Sequence, residues 1–133
     1  MNYINTTTSN ILLQKTLKRK IHFSGVGVHS GRAVSMSIEP AEYDTGIVFE
    51  RTDLKKNNFI KAVIDNVVDS RLCTKIANPS GNFVATIEHL MAALSALGID
   101  NAIVKINSSE LPALDGSSNE YVKKILGSGI KTL

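Results

Sequence analysis

The sequence predicts an α+β fold, a two-layer sandwich in which about five strands form a sheet and two helices cover one of its faces. Three observations support this prediction. Short segments in the first part of the chain alternate apolar and polar residues, as strands with one buried face do. Two later segments repeat apolar residues at spacings of three and four, as amphipathic helices do. Residues 101–106 are almost uniformly apolar, which indicates a central strand covered on both faces.

The strand segments are recognised by alternation and by the turn residues that bound them. In the first, Leu17, Ile21 and Phe23 alternate with charged residues. In the second, apolar residues alternate with Ser35 and Ser37. In addition to residues 101–106, the sequence predicts strands over residues 16–23, 34–38, 47–50, 59–63 and 72–77.

The first helix is predicted from residue 86 to a stop at Gly98, where a glycine enters the left-handed conformation without a side-chain penalty. Thr86 is the predicted N-cap, since its hydroxyl can accept a hydrogen bond from a free amide of the first turn. Glu88 and His89 then lie in that first turn. The buried stripe of this helix is predicted to comprise Ile87, Leu90, Met91, Leu94 and Leu97.

A second helix follows a loop over residues 110–117 that contains a proline and a glycine. Ser117 and Glu120 have the spacing of a capping box, and Gly127 and Gly129 are predicted to end the helix. Its predicted buried stripe comprises Tyr121, Val122, Ile125 and Leu126.

The composition is typical of a soluble globular protein, with 43% apolar and 20% charged residues among 133. This length can bury one core and is too short for two domains. Residues 1–14 are predicted to form a flexible tail, and residues 15–133 are predicted to form a single α+β domain. The start lacks the features of a signal peptide, and no apolar run approaches the roughly 20 residues of a membrane-spanning helix. We therefore expect a cytoplasmic protein that does not span a membrane.

The charge pattern gives little evidence for a nucleic-acid partner. The formal net charge is +3, and a small basic cluster lies within residues 15–20. Such a cluster would suit an anionic ligand, although a solvated strand face is the reading we favour. Aromatic residues make up only 5% of the chain and tryptophan is absent, so few side chains can stack on bases. We expect no nucleic acid among its partners.

Glu88 and His89 are the residues best suited to chemistry. At a helix tip both side chains can reach one cavity, with His89 as a metal ligand and Glu88 as a base that deprotonates water. A capping glutamate and a histidine bonded to backbone is the alternative. His29, in a glycine-rich loop, is either a ligand or substrate contact, or a residue placed by loop geometry. Cys73 is a small buried hydrophobe or a nucleophile, and Asp115 belongs to a turn that need not face the site.

The histidine count limits any metal site. A catalytic zinc normally has three protein ligands and one open position. The chain contains only His22, His29 and His89, and its single cysteine, Cys73, excludes both an internal disulfide and a zinc site of several cysteines. Further ligands must be aspartates or glutamates that the sequence does not identify, or must come from another chain.

Several motifs occur together and in order, and together they are far more specific than any one of them. They include the glycine-rich loop, the Glu-His pair within its apolar helix, and the Asp-Gly-Ser turn. Over about residues 15–130 the chain resembles the UDP-3-O-acyl-N-acetylglucosamine deacetylase family, the zinc hydrolases of lipid A biosynthesis in Gram-negative bacteria. The matching segments are residues 25–31, 51–54, 69–74, 86–94, 98–101 and 111–117.

The resemblance implies a reaction and a role for each candidate residue. The reaction is hydrolysis of the acetamide of a UDP-sugar lipid precursor, with zinc as cofactor. Glu88 matches the general base and His89 one of three zinc ligands. Asp115 matches the turn near the site. The segments that border the substrate and its acyl-chain passage are matched by Val28, His29, Leu72 and Cys73.

The resemblance is also incomplete. The family is about twice this length and is built from two similar α+β domains, of which the chain matches the first. The second supplies the other two zinc ligands, a histidine and an aspartate, and a further catalytic histidine. We therefore expect the isolated chain to be inactive, either as a fragment or as half of a site completed by a complementary C-terminal half domain. A non-catalytic module that binds RNA or an anionic metabolite is the remaining alternative.

Overall fold

The computed structural model describes residues 13–69 and 71–133. These residues form ten short strands in three sheets, two α-helices and one 3-10 turn at Ile64–Asn66. The strands are β1 Lys15–Leu17, β2 Ile21–Val26, β3 Ala33–Pro40, β4 Ile47–Arg51, β5 Phe59–Lys61, β6 Val67–Asp69, β7 Lys75–Ala77, β8 Phe83–Ala85, β9 Ala102–Ile106 and β10 Ile130–Thr132. The helices are α1 Glu88–Ala96 and α2 Asn119–Ser128.

The largest sheet has the order β2-β3-β9-β4-β5, with β9 at its centre. This strand runs antiparallel to β3 and parallel to β4. Ala102, Val104 and Ile106 are fully buried, whereas Ile103 and Lys105 are only half-buried. The prediction of a central strand is confirmed, but the expectation of full cover on both faces is wrong. One face carries the core, and the other carries partly exposed side chains.

Both helices contribute to the same hydrophobic core as this sheet. Leu90 and Leu94 of α1 and Ile125 of α2 are almost completely buried there. The rings of Phe23 on β2 and Tyr121 on α2 lie 4.9 Å apart between centroids, which joins the helix to the sheet. Each fully buried side chain of this size contributes about 1.5–3 kcal/mol. The predicted α+β sandwich is therefore confirmed.

The two ends of the described chain pair with each other. β1 and β10 form a two-stranded antiparallel sheet, in which Leu17 lies opposite Ile130. The predicted strand over residues 16–23 is in fact two strands, because Leu17 pairs with β10 while Ile21 pairs with Ile38 of β3. The backbone carbonyl of Gln14 accepts a hydrogen bond from the amide of Leu133 at 2.8 Å. Most of the tail predicted for residues 1–14 lies outside the described residues, so the division into tail and domain stays a prediction.

The third sheet, of order β6-β7-β8, leads directly to the start of α1. The strand predicted over residues 72–77 begins only at Lys75. The preceding residues, including Cys73, form an irregular bend. Ala85, the last residue of β8, forms an isolated parallel bridge with Glu110. This bridge brings the loop before α2 to the tip of α1.

The helix ends differ from the predicted caps. α1 begins at Glu88, and the residue before it, Ile87, provides no side-chain hydrogen bond. Thr86 is not the N-cap that the sequence predicts, because its backbone has a φ of +61° and its side chain bonds elsewhere. The predicted stop at Gly98 is confirmed by its φ of +70°, two residues after the helix ends.

The second helix begins at Asn119, after Ser118. The predicted capping box is wrong, since Ser117 precedes the N-cap position and its hydroxyl donates to Asp115 at 2.9 Å. Gly127 lies inside the helix, while Gly129, with a φ of +86°, follows its last residue. Neither helix of the described residues has the length and apolar character that a membrane-spanning segment requires.

Candidate active site

The glycine-rich loop follows β2 and folds back on itself. The amide of Gly27 donates to the carbonyl of Arg32 at 3.0 Å, and the amide of Gly31 donates to the carbonyl of Gly27 at 2.9 Å. This closed turn leaves Val28 63% exposed at the tip, beside the exposed His29. The loop therefore presents an apolar and an imidazole side chain to its surroundings.

Glu110 lies beneath this loop and is only 3% exposed. Its carboxylate accepts hydrogen bonds from the backbone amides of His29 at 3.1 Å and Ser30 at 2.8 Å. The hydroxyl of Thr86 donates to the same carboxylate at 2.7 Å. Burial opposes ionisation, but these hydrogen bonds outweigh it and hold the pKa of Glu110 below its ordinary value. One ionised carboxylate thus joins the glycine-rich loop to the turn before α1.

A second set of contacts joins the start of α1 to residues 73–74. The backbone carbonyl of Thr74 accepts hydrogen bonds from the amides of Thr86 at 2.8 Å and Ile87 at 3.4 Å. The amide of Thr74 donates to the carboxylate of Glu88 at 3.1 Å. Glu88 is half-buried in the first turn of α1, where the helix dipole favours a negative charge. Its side chain is thereby held beside the segment that contains Cys73.

A pocket of about 230 Å³ opens next to these contacts. It brings together three residues that the sequence predicts to contact substrate, His29, Leu72 and Cys73. The ammonium group of Lys75 lies 3.9 Å from the centroid of the Phe83 ring, and both of these residues also line the pocket. Cys73 is half-buried, so the interpretation of this residue as a small buried hydrophobe is wrong. The remaining lining residues are Asp69 and Ala85.

An adjoining pocket of about 250 Å³ shares four of these residues. It extends the cavity toward the buried carboxylate of Glu110. Its lining consists of His29, Ser30, Cys73, Phe83, Ala85, Ser109 and Glu110.

The other predicted site residues are not part of the pocket walls. Of the described residues, Val28, Glu88, His89 and Asp115 do not line either cavity. His89 is half-buried, and its backbone carbonyl accepts a 2.9 Å hydrogen bond from the hydroxyl of Ser118. This bond holds the start of α2 against the first turn of α1.

Asp115 is exposed and bonds within its own turn. The amide of Ser117 donates to its carboxylate at 3.0 Å, and the Ser117 hydroxyl donates at 2.9 Å. These bonds lower the pKa of Asp115. Its role at a substrate site remains a prediction.

The donor groups present do not build a zinc site by themselves. Among residues 13–69 and 71–133, no group of three or more histidine, cysteine, aspartate or glutamate side chains could hold a metal ion. His89 offers one imidazole, while Glu110 and Asp115 bind backbone and hydroxyl donors. Three protein ligands are normal for a catalytic zinc, so these residues fit only part of such a site.

The sequence did not indicate Glu110, Thr74 or Lys75 as site residues. Glu110 precedes Leu111 and Pro112 in a loop, and no local pattern distinguishes it from a solvated carboxylate. Its partners His29 and Ser30 lie 81 and 80 residues earlier in the chain. The pairing of Ala85 with Glu110 would have indicated Glu110 as a site residue, but the sequence pattern does not reveal this pairing.

Comparison with known proteins shows that this chain is similar to bacterial deacetylases along nearly its whole length. This similarity defines the class of protein. Relatives named UDP-3-O-acyl-N-acetylglucosamine deacetylase are 48% identical in Geotalea uraniireducens, 43% in Tolumonas auensis and 40% in Glaesserella parasuis. Each alignment covers 90–91% of this chain and 39–40% of the relative.

A family model for UDP-3-O-acyl N-acetylglycosamine deacetylase (LpxC) matches residues 14–133. The chain belongs to this family, as its motifs predict. It spans about two fifths of the length of the curated relatives it matches.

Proposed function

We propose that this chain takes part in hydrolysis of the N-acetyl group of UDP-3-O-acyl-N-acetylglucosamine, a step of lipid A biosynthesis in the cytoplasm. In this proposal it supplies the general base and one zinc ligand. The observation that carries the proposal is the position of Glu88, whose carboxylate is held by the Thr74 amide beside the pocket residue Cys73. Family membership over residues 14–133 supports the substrate and the reaction.

Glu88 would accept the proton of the attacking water. A carboxylate has about four acceptor positions, and the Thr74 amide uses only part of this capacity. The remaining lone pairs can therefore receive a proton from water within hydrogen-bond distance. The first turn of α1 also keeps this charge at the positive end of the helix dipole.

His89 would provide one imidazole to zinc, which supplies Lewis-acid chemistry in hydrolases of this kind. The described residues do not contain a complete ligand set. We propose that the other ligands come from a complementary half, either in the same polypeptide or in a separate partner chain. Without that half, the chain would be catalytically incomplete.

The pocket and the loop tip would contact the substrate. Leu72 is 86% exposed and Val28 is 63% exposed, and apolar side chains at such positions suit contact with an acyl chain. His29 and Cys73 would line the same passage. The Asp115 turn, close in the chain to the start of α2, would complete the border of the site.

The test combines the 133-residue chain with a separately expressed C-terminal half of the Geotalea relative. Acetate release from UDP-3-O-acyl-N-acetylglucosamine and zinc content are measured for each half and for the mixture. We expect weak zinc binding and negligible turnover by the chain alone, and turnover by the mixture. Glu88→Gln should lower kcat by about 10²–10⁴-fold, the usual contribution of a general base.

Glu120→Gln is the matched control, because Glu120 also lies in the first turn of a helix but is exposed on α2. It should leave turnover unchanged. Tight binding of one zinc ion with turnover by the isolated chain would contradict the need for a second half. Full activity of the Glu88→Gln mixture would contradict the role of Glu88 as base.

A further inference from the structure

We infer that Glu110 is a positioning residue that locks the glycine-rich loop onto the turn before α1. In doing so it sets the location of His29 relative to Glu88 and His89. The inference rests on the proposed function, because that function places these three residues in one site. Glu110 would act by holding the loop and the turn in place, and would take no part in the chemical step.

The contacts of Glu110 are suited to fixing a backbone. Its hydrogen-bond donors include two main-chain amides, those of His29 and Ser30. The position of the carboxylate therefore determines where the loop backbone runs, whichever side chains the loop carries. A further donor is the Thr86 hydroxyl, two residues before Glu88. The glycine-rich loop and the turn before α1 are thus held by the same carboxylate.

The backbone of Glu110 is itself anchored to the same turn. The amide of Ala85 donates to the carbonyl of Ser109 at 2.8 Å, and the amide of Leu111 donates to the carbonyl of Ala85 at 3.1 Å. Glu110 lies between these two bonds, directly beside the strand that leads to Thr86. The Glu110 backbone therefore cannot move away from the turn before α1 without breaking these main-chain hydrogen bonds.

The loop approaches this carboxylate closely at residue 27, where a side chain larger than that of glycine would force Glu110 or Ser30 to shift. A Cβ atom at Gly27 would overlap a carboxylate oxygen of Glu110, and it would lie 2.5 Å from the Ser30 hydroxyl oxygen. Real Cβ atoms do not approach other atoms so closely. Gly27 does not have a positive φ, so close approach, rather than backbone conformation, is what requires glycine here.

Stability alone is a poor explanation for a carboxylate in this place. Burying a charge costs free energy, and a well-packed apolar side chain generally stabilises as much or more. Glu110 also lines the cavity that contains His29 and Cys73, rather than the centre of the hydrophobic core. A buried charge that holds a loop at the edge of a cavity is suited to preorganising that cavity.

The first experiment measures amide hydrogen exchange by NMR in the 133-residue chain. We expect Glu110→Ala to accelerate exchange at His29 and Ser30 by about tenfold or more, while Val104 in the central strand keeps its rate. Glu110→Gln should have a smaller effect, because its amide oxygen still accepts hydrogen bonds. Glu42→Gln, which removes an exposed carboxylate, is the control and should change neither site.

Gly27→Ala approaches the same contact from the loop side. It should accelerate exchange at the same two amides, and it keeps the inference testable if Glu110→Ala fails to fold. Unchanged exchange at His29 and Ser30 in the variants would overturn the inference. Equal acceleration at Val104 would also overturn it, because that result would show a loss of global stability instead of a local lock.

The second experiment measures kinetics in the mixture with the complementary half. We expect Glu110→Ala to lower kcat/KM by about 10- to 100-fold through misplacement of the site, with zinc content unchanged. Glu110→Gln should restore part of this loss. Local loosening with unchanged kcat/KM would overturn the positioning role. An inactive wild-type mixture would contradict the proposed function, and the exchange data would still decide whether Glu110 locks the loop.

Discussion

The hydroxyl of Thr86 donates a 2.7 Å hydrogen bond to the buried carboxylate of Glu110, while the Thr86 backbone has a φ of +61°. A β-branched residue rarely adopts this conformation, which costs on the order of 1–3 kcal/mol. A hydrogen bond to a charged, buried acceptor is strong enough to offset much of that cost. Thr86 is therefore a hydrogen-bond partner of Glu110, whereas the sequence pattern predicts that it caps α1.

Thr86→Val removes this hydroxyl and preserves the shape of the side chain. We expect it to lower the free energy of unfolding by about 1.5–3 kcal/mol, the range for hydrogen bonds to charged groups. Urea unfolding measures the change. Thr45→Val is the control, since the Thr45 hydroxyl donates to the neutral carbonyl of Glu42 in an exposed turn. It should cost no more than about 1 kcal/mol, and equal losses in the two variants would contradict the role assigned to Thr86.

Leu72→Ser tests the proposed contact with the acyl chain. Leu72 and Ile64 are both 86% exposed, so replacing either one should change the free energy of unfolding little. Leu72 lines the pocket and Ile64 does not. In the two-half mixture, Leu72→Ser should raise KM by about tenfold, because burying a leucine against an acyl chain contributes about 1.5–3 kcal/mol. If Ile64→Ser raised KM equally, the assignment of Leu72 to the passage would be wrong.

Gly127→Ala should stabilise the protein. Gly127 lies in α2 without a positive φ, and a Cβ atom there would meet no other described atom within 4 Å. Alanine in a helix interior is more favourable than glycine by about 0.5–1 kcal/mol. Thermal unfolding should show a corresponding rise in Tm.

Gly129→Ala is the matched comparison, only two residues later. Its φ of +86° and the 2.8 Å separation between a built Cβ atom and Cδ of Lys18 predict a lower Tm. A fall in Tm for both variants would contradict the helical placement of Gly127.

Glu39 should make stability depend on pH in the acid range. Its carboxylate lies 3.0 Å from Nζ of Lys20 and 3.2 Å from Nζ of Lys105. Burial opposes ionisation of Glu39, but hydrogen bonds and charge from the two lysines outweigh it and lower its pKa. A lowered folded-state pKa stabilises the protein above the unfolded-state pKa, and this stability is lost as pH falls through the folded-state value.

Glu39→Gln should therefore weaken the protein at pH 7 and flatten the loss of stability that sets in as the pH falls below the ordinary pKa of a glutamate. Both lysines are substantially exposed, so we expect an effect of no more than about 1 kcal/mol at pH 7. Urea midpoints at several pH values measure it, with Glu42→Gln as the exposed control. The same acid dependence in Glu39→Gln and wild type would show that Glu39 does not contribute.

Much of the fold was determined by local sequence patterns. Alternation within β3 identified a strand, because side chains on alternate sides of a strand meet different environments. The apolar run of β9 identified the central strand, although only one of its faces is fully buried. The stripes containing Leu90 and Ile125 identified the two helices for the analogous reason. The motifs also identified the family, and three residues that they single out, His29, Leu72 and Cys73, line one pocket. The chemical roles of Glu88 and His89 remain predictions.

Only the tertiary structure decided which distant segments meet. Pairing of Leu17 with Ile130 joins opposite ends of the described chain, and short strands at each end carry too little periodicity to reveal it. The hydrogen bonds of Glu110 with His29 and Thr86 are likewise not predicted by any residue close to them in the sequence. Hydrophobic periodicity reports which face of an element is buried, whereas the partner of a buried charge depends on where the whole backbone places its donors.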